Sequence, residues 1–362
     1  MIALTLPCEV DDASRPPFVA RLRSGVATHS MIGGDAHLVG QDDERVYFQL
    51  GDAGFSLPKG QTASFDGDVL FVEPAARRAR RWIRARSPHN TLLVTENCDQ
   101  LCQMCSQPPK RTDIDLYVHF EEACALAPAG AVIGISGGEP TLYKDRLFSF
   151  LSSMAASRPD LKFHVLTNAQ HFAPEDRRCL RDFHHVLWGV PIYAADAALH
   201  DGLVGKEGAF ARLLESFAVL AAAGAAIELR TVVMRENAGA LGELGRFVVD
   251  RLSFIDFWAL VQLERTGFAK NRWADLFFDH SVNFESIADA LSWTMLHGIR
   301  AALYNFPYCT VPEAWRPLAA RSISDWKNKY LKPCEACPAK PRCSGFFEWH
   351  LEDHGYERFA QL

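Results

Sequence analysis

Three cysteines stand within eight residues of one another, at Cys98, Cys102 and Cys105 in the run ENCDQLCQMC. Thiolates are soft ligands, and an iron-sulfur cube ordinarily takes four of them. Three on one short loop therefore hold a 4Fe-4S cluster with one iron left open. A structural zinc site is the competing reading, but three cysteines with no histidine nearby close poorly to a tetrahedron. A second set, Cys334, Cys337 and Cys343, has the spacing C-x2-C-x5-C, and Cys309 offers a fourth thiolate. Four cysteines in two groups suit either a zinc ribbon or an auxiliary 4Fe-4S cluster. Cys8, Cys124 and Cys179 stand alone and read as small buried hydrophobes.

About thirty residues after the first cysteine loop comes Ser136-Gly137-Gly138-Glu139-Pro140. Glycines without Cβ let the backbone approach a ligand closely, although the same residues also make an ordinary strand-to-helix turn. Thr167 and Asn168, and the stretch Val232 to Asn237, end two further expected strands. They read either as cofactor contacts or as plain polar strand ends. Arg230 suits a carboxylate of a ligand or a structural salt bridge equally. Tyr193, His200, Asp201 and Glu264 fall on expected loops, where they face a substrate, cap a helix or meet water.

These residues need a frame to bring them together. From about residue 90 onward, short apolar runs alternate with segments of helical period, the pattern of repeated βα units. Strands are expected near Thr91 to Thr95, Ala131 to Ser136, Lys162 to Thr167, His185 to Ile192, Ala226 to Met234 and Ile255 to Gln262. Helices are expected near Leu116 to Leu126, Lys144 to Ala156, Glu175 to Phe183, Ala209 to Ala223, Ala240 to Leu252 and Phe284 to Leu296. Gly130, Gly224 and Gly298 read as helix C-caps. The fold class is α/β, an open or partial barrel of six units, whose ligands collect at the carboxyl ends of the strands. Each motif above falls on those ends.

Residues 1–88 read as a small β-rich module, with strands at Val46 to Leu50, Phe55 to Leu57 and Val69 to Val72. Six arginines between Arg77 and Arg86 read as a basic helix or linker, either a solvated face or a dock for an acidic peptide. Residues 89–300 then form the barrel and 301–362 the second cysteine region. The Met31 to Gly40 stretch contains Gly-Gly but neither a P-loop nor a dinucleotide fingerprint.

The 362 residues are 48% hydrophobic and 23% charged, which fits a globular enzyme and excludes a disordered chain. A formal net charge of -6 argues against a dedicated nucleic-acid binder. Met1 to Asp11 lacks the pattern of a signal peptide, and the longest apolar stretch, Phe217 to Leu229, is too short to span a bilayer. A cytoplasmic protein with no membrane partner is expected, with the cysteines serving as ligands rather than disulfides.

The C-x3-C-x2-C loop directly after a strand, followed by Gly-Gly-Glu-Pro, resembles the radical S-adenosylmethionine superfamily. The resemblance implies a partial (β/α)6 TIM-like barrel in which the open iron chelates S-adenosylmethionine and cleaves it reductively to a 5′-deoxyadenosyl radical. It implies that Gly137, Gly138, Glu139 and Pro140 contact the methionyl amine and that Thr167 and Asn168 contact the ribose or carboxylate. It also implies adenine contacts at Val232 to Asn237 and a carboxylate contact at Arg230. The second cysteine set resembles the auxiliary-cluster region of SPASM and Twitch extensions, with one cluster. CDQLCQMCSQPPK, Trp188 to Tyr193 and Ser324 to Asn328 look like the C member of the His-Xaa-Ser system maturase pair. That likeness, spanning most of residues 20–350, implies a ribosomally made peptide substrate with His-Xaa-Ser repeats. It further implies a second radical maturase and an external electron donor such as flavodoxin or ferredoxin. A formylglycine-type or nucleoside-modifying member of the superfamily, and a non-catalytic zinc or iron-sulfur scaffold, are the alternatives.

Overall fold

The structure is a computed structural model describing residues 2–25, 33–61, 65–111, 115–360 and 362. The sequence readings at Met1 and at residues 31 and 32 lie outside the described residues. The chain divides into two compact units. One comprises residues 1–94, 114–135 and 145–163, the other 95–113, 136–144 and 164–362.

The N-terminal segment of the first unit is an eight-stranded sheet, richer in strands than the sequence suggests. Its strands are β1 (Thr5–Pro7), β2 (Glu9–Val10), β3 (Phe18–Arg23), β4 (Asp35–Gln41), β5 (Arg45–Leu50), β6 (Ala53–Pro58), β7 (Val69–Glu73) and β8 (Arg78–Ile83). Their order is β1-β8-β7-β3-β4-β5-β6-β2. Period-two alternation turns Val46, Phe48, Phe55 and Leu57 into one core with Leu6, Leu22 and Leu70. Helix α1 (Tyr117–Ala125) packs on β3 and β7.

The arginine run is neither helix nor linker: Arg78–Ile83 is β8, paired with β1 and β7. Acidic partners outside the run explain this. Arg78 Nε and Arg80 Nε donate to Glu73 Oε2 at 2.7 and 2.6 Å, on the neighbouring strand. Arg81 pairs with Asp68, the two side chains being only 7% and 2% exposed, and Trp82 stacks on Phe71 with ring centroids 4.3 Å apart. Arg78, Arg80 and Arg81 are thus paired with acids across the sheet, while Arg77, Arg78 and Arg86 remain exposed.

A second sheet runs in chain order through β9 (Asn90–Thr95), β10 (Val132–Gly137), β11 (Lys162–Leu166), β12 (Val186–Pro191), β13 (Ala226–Val233), β14 (Phe257–Gln262), β15 (Ala301–Tyr304) and β16 (Ala319–Ala320). The six expected strands all form, and β15 and β16 extend the sheet beyond them. The pairs from β12 to β16 are parallel. Their continuous apolar runs suit parallel strands, as in β14, buried from Trp258 to Gln262. The expected helices are α1 itself, α2 (Lys144–Ser157), α3 (Arg177–Asp182), α5 (Ala209–Ala223), α7 (Leu241–Arg251) and α9 (Glu285–Leu296). Short helices α4 (Ala197–Val204), α6 (Arg235–Ala238) and α8 (Trp273–Leu276) fill carboxyl-end loops and went unread in the sequence. The chain closes with two-residue strands β17 (Asn328–Lys329) and β18 (Phe346–Phe347) among short 3-10 turns.

Gly224 caps α5 at φ 67°, and Gly298, at φ 80°, follows the cap of α9. Gly130 is no C-cap, because α1 ends at Ala125; it forms the turn into β10 and donates its N–H to Asp160 Oδ2 at 2.9 Å. Cys8 and Cys124 are buried as expected, whereas Cys179 is exposed on α3. Among the described residues no helix is long and apolar enough to cross a membrane.

Removing one partner of a buried ion pair strands the other charge. Asp68→Ala should therefore cost about 3–5 kcal/mol in urea unfolding, whereas Arg78→Ala, at the more exposed pair, should cost about 1 kcal/mol or less.

Candidate functional site

The cysteine loop leaves β9 and is seated backbone against backbone on the glycine turn that ends β10. Gly138 N–H donates to Thr95 O at 2.8 Å and Glu139 N–H to Asn97 O at 2.7 Å. A Cβ at position 137 would lie 2.3 Å from Thr95 O, and one at 138 would lie 2.0 Å from Asn97 O. Both glycines are therefore required before any ligand is considered: their missing side chains let one chain segment approach the other.

Two further backbone contacts hold the loop. Leu101 N–H and Gln103 N–H donate to Val204 O and Leu203 O at the end of α4, at 3.0 and 2.9 Å. Phe268 N–H donates to Cys105 O at 3.0 Å, and Gly267, at φ 56°, would drive a Cβ to 2.1 Å from that oxygen. Met104 anchors the loop in an apolar cluster with Tyr193, Leu203, Met234 and Leu263.

Cys98, Cys102 and Cys105 are unbridged and partly buried. Burial pushes the Cys98 thiol up to about 11, helped by the charges of Glu139, Asp99 and Cys105. Burial pushes Cys102 up to about 12, with Cys105 and Cys98 adding to it. Charge on Cys105 raises both other thiols, and a cationic centre among the three is what favours thiolates there. The donor set thus fits an iron-sulfur cluster. Among the described residues no group of three His, Cys, Asp or Glu closes to the spacing of a single bound ion.

Glu139, only 1% exposed, ties the ends of β10 and β11 together. Its Oε1 accepts from Thr141 N at 2.8 Å, Thr141 Oγ1 at 2.5 Å and Thr167 Oγ1 at 2.6 Å, while Oε2 accepts from Asn168 N at 2.5 Å. Pro140 is buried and begins the turn that follows. Asn168 Nδ2 donates to Asp99 Oδ1 at 2.8 Å. Asp99, beside the first cysteine, also pairs with Lys206 and stands 3.3 Å from His171 Nε2. Burial works to raise its carboxyl, but the bonds from His171, Lys206 and Asn168 outweigh it and hold the group well below the usual range. Ala169, fully buried between these residues, is held at φ 56°, a left-handed conformation costly for a residue with a Cβ.

The other sequence candidates divide. Arg230 pairs with Glu228, which also meets His164 Nε2 at 3.1 Å, and lies over the Tyr304 ring at 5.7 Å. The polar end of β13 is turned inward: Asn237 Nδ2 donates to Tyr193 O at 3.1 Å and Val232 O at 3.0 Å. Tyr193 is buried near the three thiols, and its phenol is driven well above its ordinary range by burial and then by Cys102 and Cys105. His200 is 1% exposed, and its Nδ1 accepts the Tyr193 N–H at 3.3 Å; burial lowers it to about 4. Asp201 accepts from Gly208 N and Phe210 N at 2.6 and 2.7 Å and so caps α5. Glu264 Oε2 accepts from Lys327 Nζ at 2.9 Å. Sequence reasoning missed Asp99, Lys206, Gly205 and Gly267. Asp99 lay inside the motif, but its partners are up to 107 residues away.

The second cysteine set also gathers. Burial pushes Cys309 up to about 12, with Cys343, Cys334 and Cys337 adding to the rise. Cys343 Sγ accepts N–H groups of Tyr308 and Gly345, each at 3.3 Å. Cys309, Cys334 and Cys337 line a cavity of about 730 Å³ with Leu331, Phe346 and Phe359.

Fold and site together define a parallel α/β sheet carrying a three-thiol loop, a glycine turn and a second thiol group at its carboxyl end. Over 163 residues the chain is 28% identical to the PqqA peptide cyclase of Methylocella silvestris, covering 43% of this chain and 42% of that protein. No family model matches. Among solved structures, Streptococcus suis SuiB bound to its precursor peptide SuiA is similar over 59% of this chain and 48% of SuiB, with a TM-score of 0.49 and 16% identity. A radical SAM methyltransferase from Sphaerobacter thermophilus is similar over 73% of this chain and 74% of its own, with a TM-score of 0.45 and 14% identity. The chain thus spans about two-fifths of the cyclase and about half of SuiB.

Ala169→Gly removes the left-handed strain and should raise stability by about 0.5–1 kcal/mol in denaturant unfolding. His200 has a folded pKa of about 4, below the unfolded value, so below neutrality the unfolded chain binds the proton the folded chain refuses. Stability should fall as pH drops from about 6.5 towards 4, with His200 contributing up to about 3 kcal/mol, and His200→Gln should flatten that part of the profile.

Proposed function

We propose that this chain is a radical S-adenosylmethionine enzyme that modifies a ribosomally made peptide. The observation that carries the reading is the three-thiol loop locked backbone to backbone onto the Gly-Gly-Glu-Pro turn. Its likeness to a peptide cyclase supports a peptide substrate. Cys98, Cys102 and Cys105 would hold the 4Fe-4S cluster. When bound, that cluster and S-adenosylmethionine supply a one-electron cleavage yielding a radical that takes hydrogen from carbon.

The residues of the chain do the positioning. Gly137, Gly138, Glu139 and Pro140, with Thr167 and Asn168, form the wall nearest the cluster loop, and Arg230 adds a cation on β13. Glu139 spends its carboxylate on Thr141, Thr167 and Asn168, so it fixes that wall rather than moving a proton. Asp99 holds Lys206 beside Cys98 and orients Asn168. Tyr193 and Met104 keep the loop's inner side dry. Asp201 and His200 support the frame and Tyr193 packs into the core, which leaves Glu264 as the sequence candidate best placed to meet substrate.

Cys309, Cys334, Cys337 and Cys343 would hold an auxiliary 4Fe-4S cluster of the SPASM or Twitch type. Two N–H donors, from Tyr308 and Gly345, fix the position of the Cys343 sulfur. The finer reading is a His-Xaa-Ser system maturase whose peptide carries His-Xaa-Ser repeats. It would work with a second radical maturase and an electron donor such as flavodoxin or ferredoxin. A cytoplasmic setting follows from thiols that must stay reduced.

Anaerobic reconstitution should yield about eight irons per chain, from two four-iron clusters, and reductive release of 5′-deoxyadenosine. Cys102→Ala should abolish that release and lower iron to about four, whereas Cys124→Ala should leave both intact. Release undiminished in Cys102→Ala, or bound zinc without any release, overturns the reading.

A further inference from the structure

Beside the first cysteine of the loop stand an acid and a cation that the loop does not need for its seating, since main-chain bonds through Leu101, Gln103, Gly138 and Glu139 already hold it. The acid is Asp99. Asn168 Nδ2 donates to its Oδ1 at 2.8 Å, Lys206 pairs with its Oδ2, and His171 Nε2 stands 3.3 Å from that second oxygen. Lys206 is brought there by the backbone. Gly205, at φ 66°, caps α4, and a Cβ on it would lie 2.9 Å from Leu101 O, so the missing side chain lets the turn carrying Lys206 close on the loop.

The two charges act in opposite senses on the sulfurs. Burial works to raise the Asp99 carboxyl, but its bonds from His171, Lys206 and Asn168 outweigh that and keep it ionised. Burial first, and then neighbouring charges with that of Asp99 among them, raise the Cys98 and Cys102 thiols. An acid at this place thus opposes negative charge on the sulfurs, and Lys206 stands against it with the opposite sign. The Lys206 and Asp99 side chains are 35% and 21% exposed, so solvent screens the pair only in part. Held together, the two charges nearly cancel; with either one removed, the other acts on the thiols uncompensated. The reduction potential of a thiolate-bound cluster follows the net charge around its sulfurs.

We propose that the Asp99–Lys206 pair sets the reduction potential of the cluster held by Cys98, Cys102 and Cys105. That a cluster is held there rests on the proposed function; the charge pair itself does not. One electron from an external donor adds negative charge among the sulfurs, which Lys206 favours and Asp99 opposes. Both are positioning residues that act through the field on the cysteines, not as ligands.

The test is an anaerobic redox titration of the reconstituted full chain, followed by electron paramagnetic resonance at the signal that S-adenosylmethionine perturbs. Lys206→Gln strands the acid and should lower the midpoint. Asp99→Asn strands the cation and should raise it. Each shift should be about tenfold in the ratio of reduced to oxidised cluster at fixed potential, equal to about 59 mV for one electron. The double variant should return close to the wild-type midpoint, and Lys206→Arg, which keeps the charge, should stay there. Iron content and thermal unfolding, measured on every variant, separate a shifted potential from a lost cluster. Damage to the loop would move both single variants the same way, whereas uncompensated charge moves them apart. Shifts of one sign, or equal midpoints for Lys206→Gln and Lys206→Arg, overturn the proposal. Should Asp99→Asn fail to load iron, the two Lys206 variants decide by themselves. A wild-type chain with no signal responsive to S-adenosylmethionine overturns the enzyme reading and this proposal with it, while unmoved midpoints overturn the proposal alone.

Discussion

Two backbone segments meet where Gly137 and Gly138 pass within hydrogen-bonding reach of Thr95 and Asn97, and the rest of the site depends on that contact. No residue with a Cβ can occupy either position without striking a carbonyl oxygen. The closeness fixes where the chain leaves β9, and so where Cys98, Cys102 and Cys105 begin. It also delivers Glu139 to the ends of β10 and β11, where one buried carboxylate satisfies the polar groups of Thr141, Thr167 and Asn168. A buried carboxylate is tolerable only with such a full set of donors.

Around this contact the loop is held by its main chain more than by its side chains. Val204 and Leu203 present carbonyls to Leu101 and Gln103, and Phe268 donates to Cys105. Gly205 and Gly267 adopt left-handed conformations at those approaches. The thiols bond within the loop, Cys105 Sγ–H to Gln107 O at 3.1 Å and Cys102 Sγ–H to Gln100 Oε1 at 3.5 Å, so the main chain carries the contacts that seat the loop. The second thiol group follows the same logic, with Tyr308 and Gly345 aiming N–H groups at Cys343.

Charge placement separates structure from chemistry. Asp201 and His200 read as candidates for catalysis, yet each is consumed by backbone groups, Asp201 at the start of α5 and His200 behind Tyr193. The arginine run reads as a surface device, yet Glu73 and Asp68 engage Arg78, Arg80 and Arg81 within the sheet. Arg265 is the opposite case: its Nε has no hydrogen-bond partner among the described residues.

The sequence by itself determined what depends on spacing and period. The three-cysteine loop, the six strands from β9 to β14, the full extent of α5 and the end of α5 at Gly224 are all local patterns, in which each residue's neighbours in the chain carry the information. Tertiary structure alone decided what depends on meeting a distant residue. Lys206 reaches Asp99 across 107 positions, Thr95 makes glycine obligatory at 137, and Trp349 joins Arg265 in one pocket. Charge compensation and steric contact fall off over a few ångströms of space, and spacing along a chain does not report which far segments the fold will bring that close.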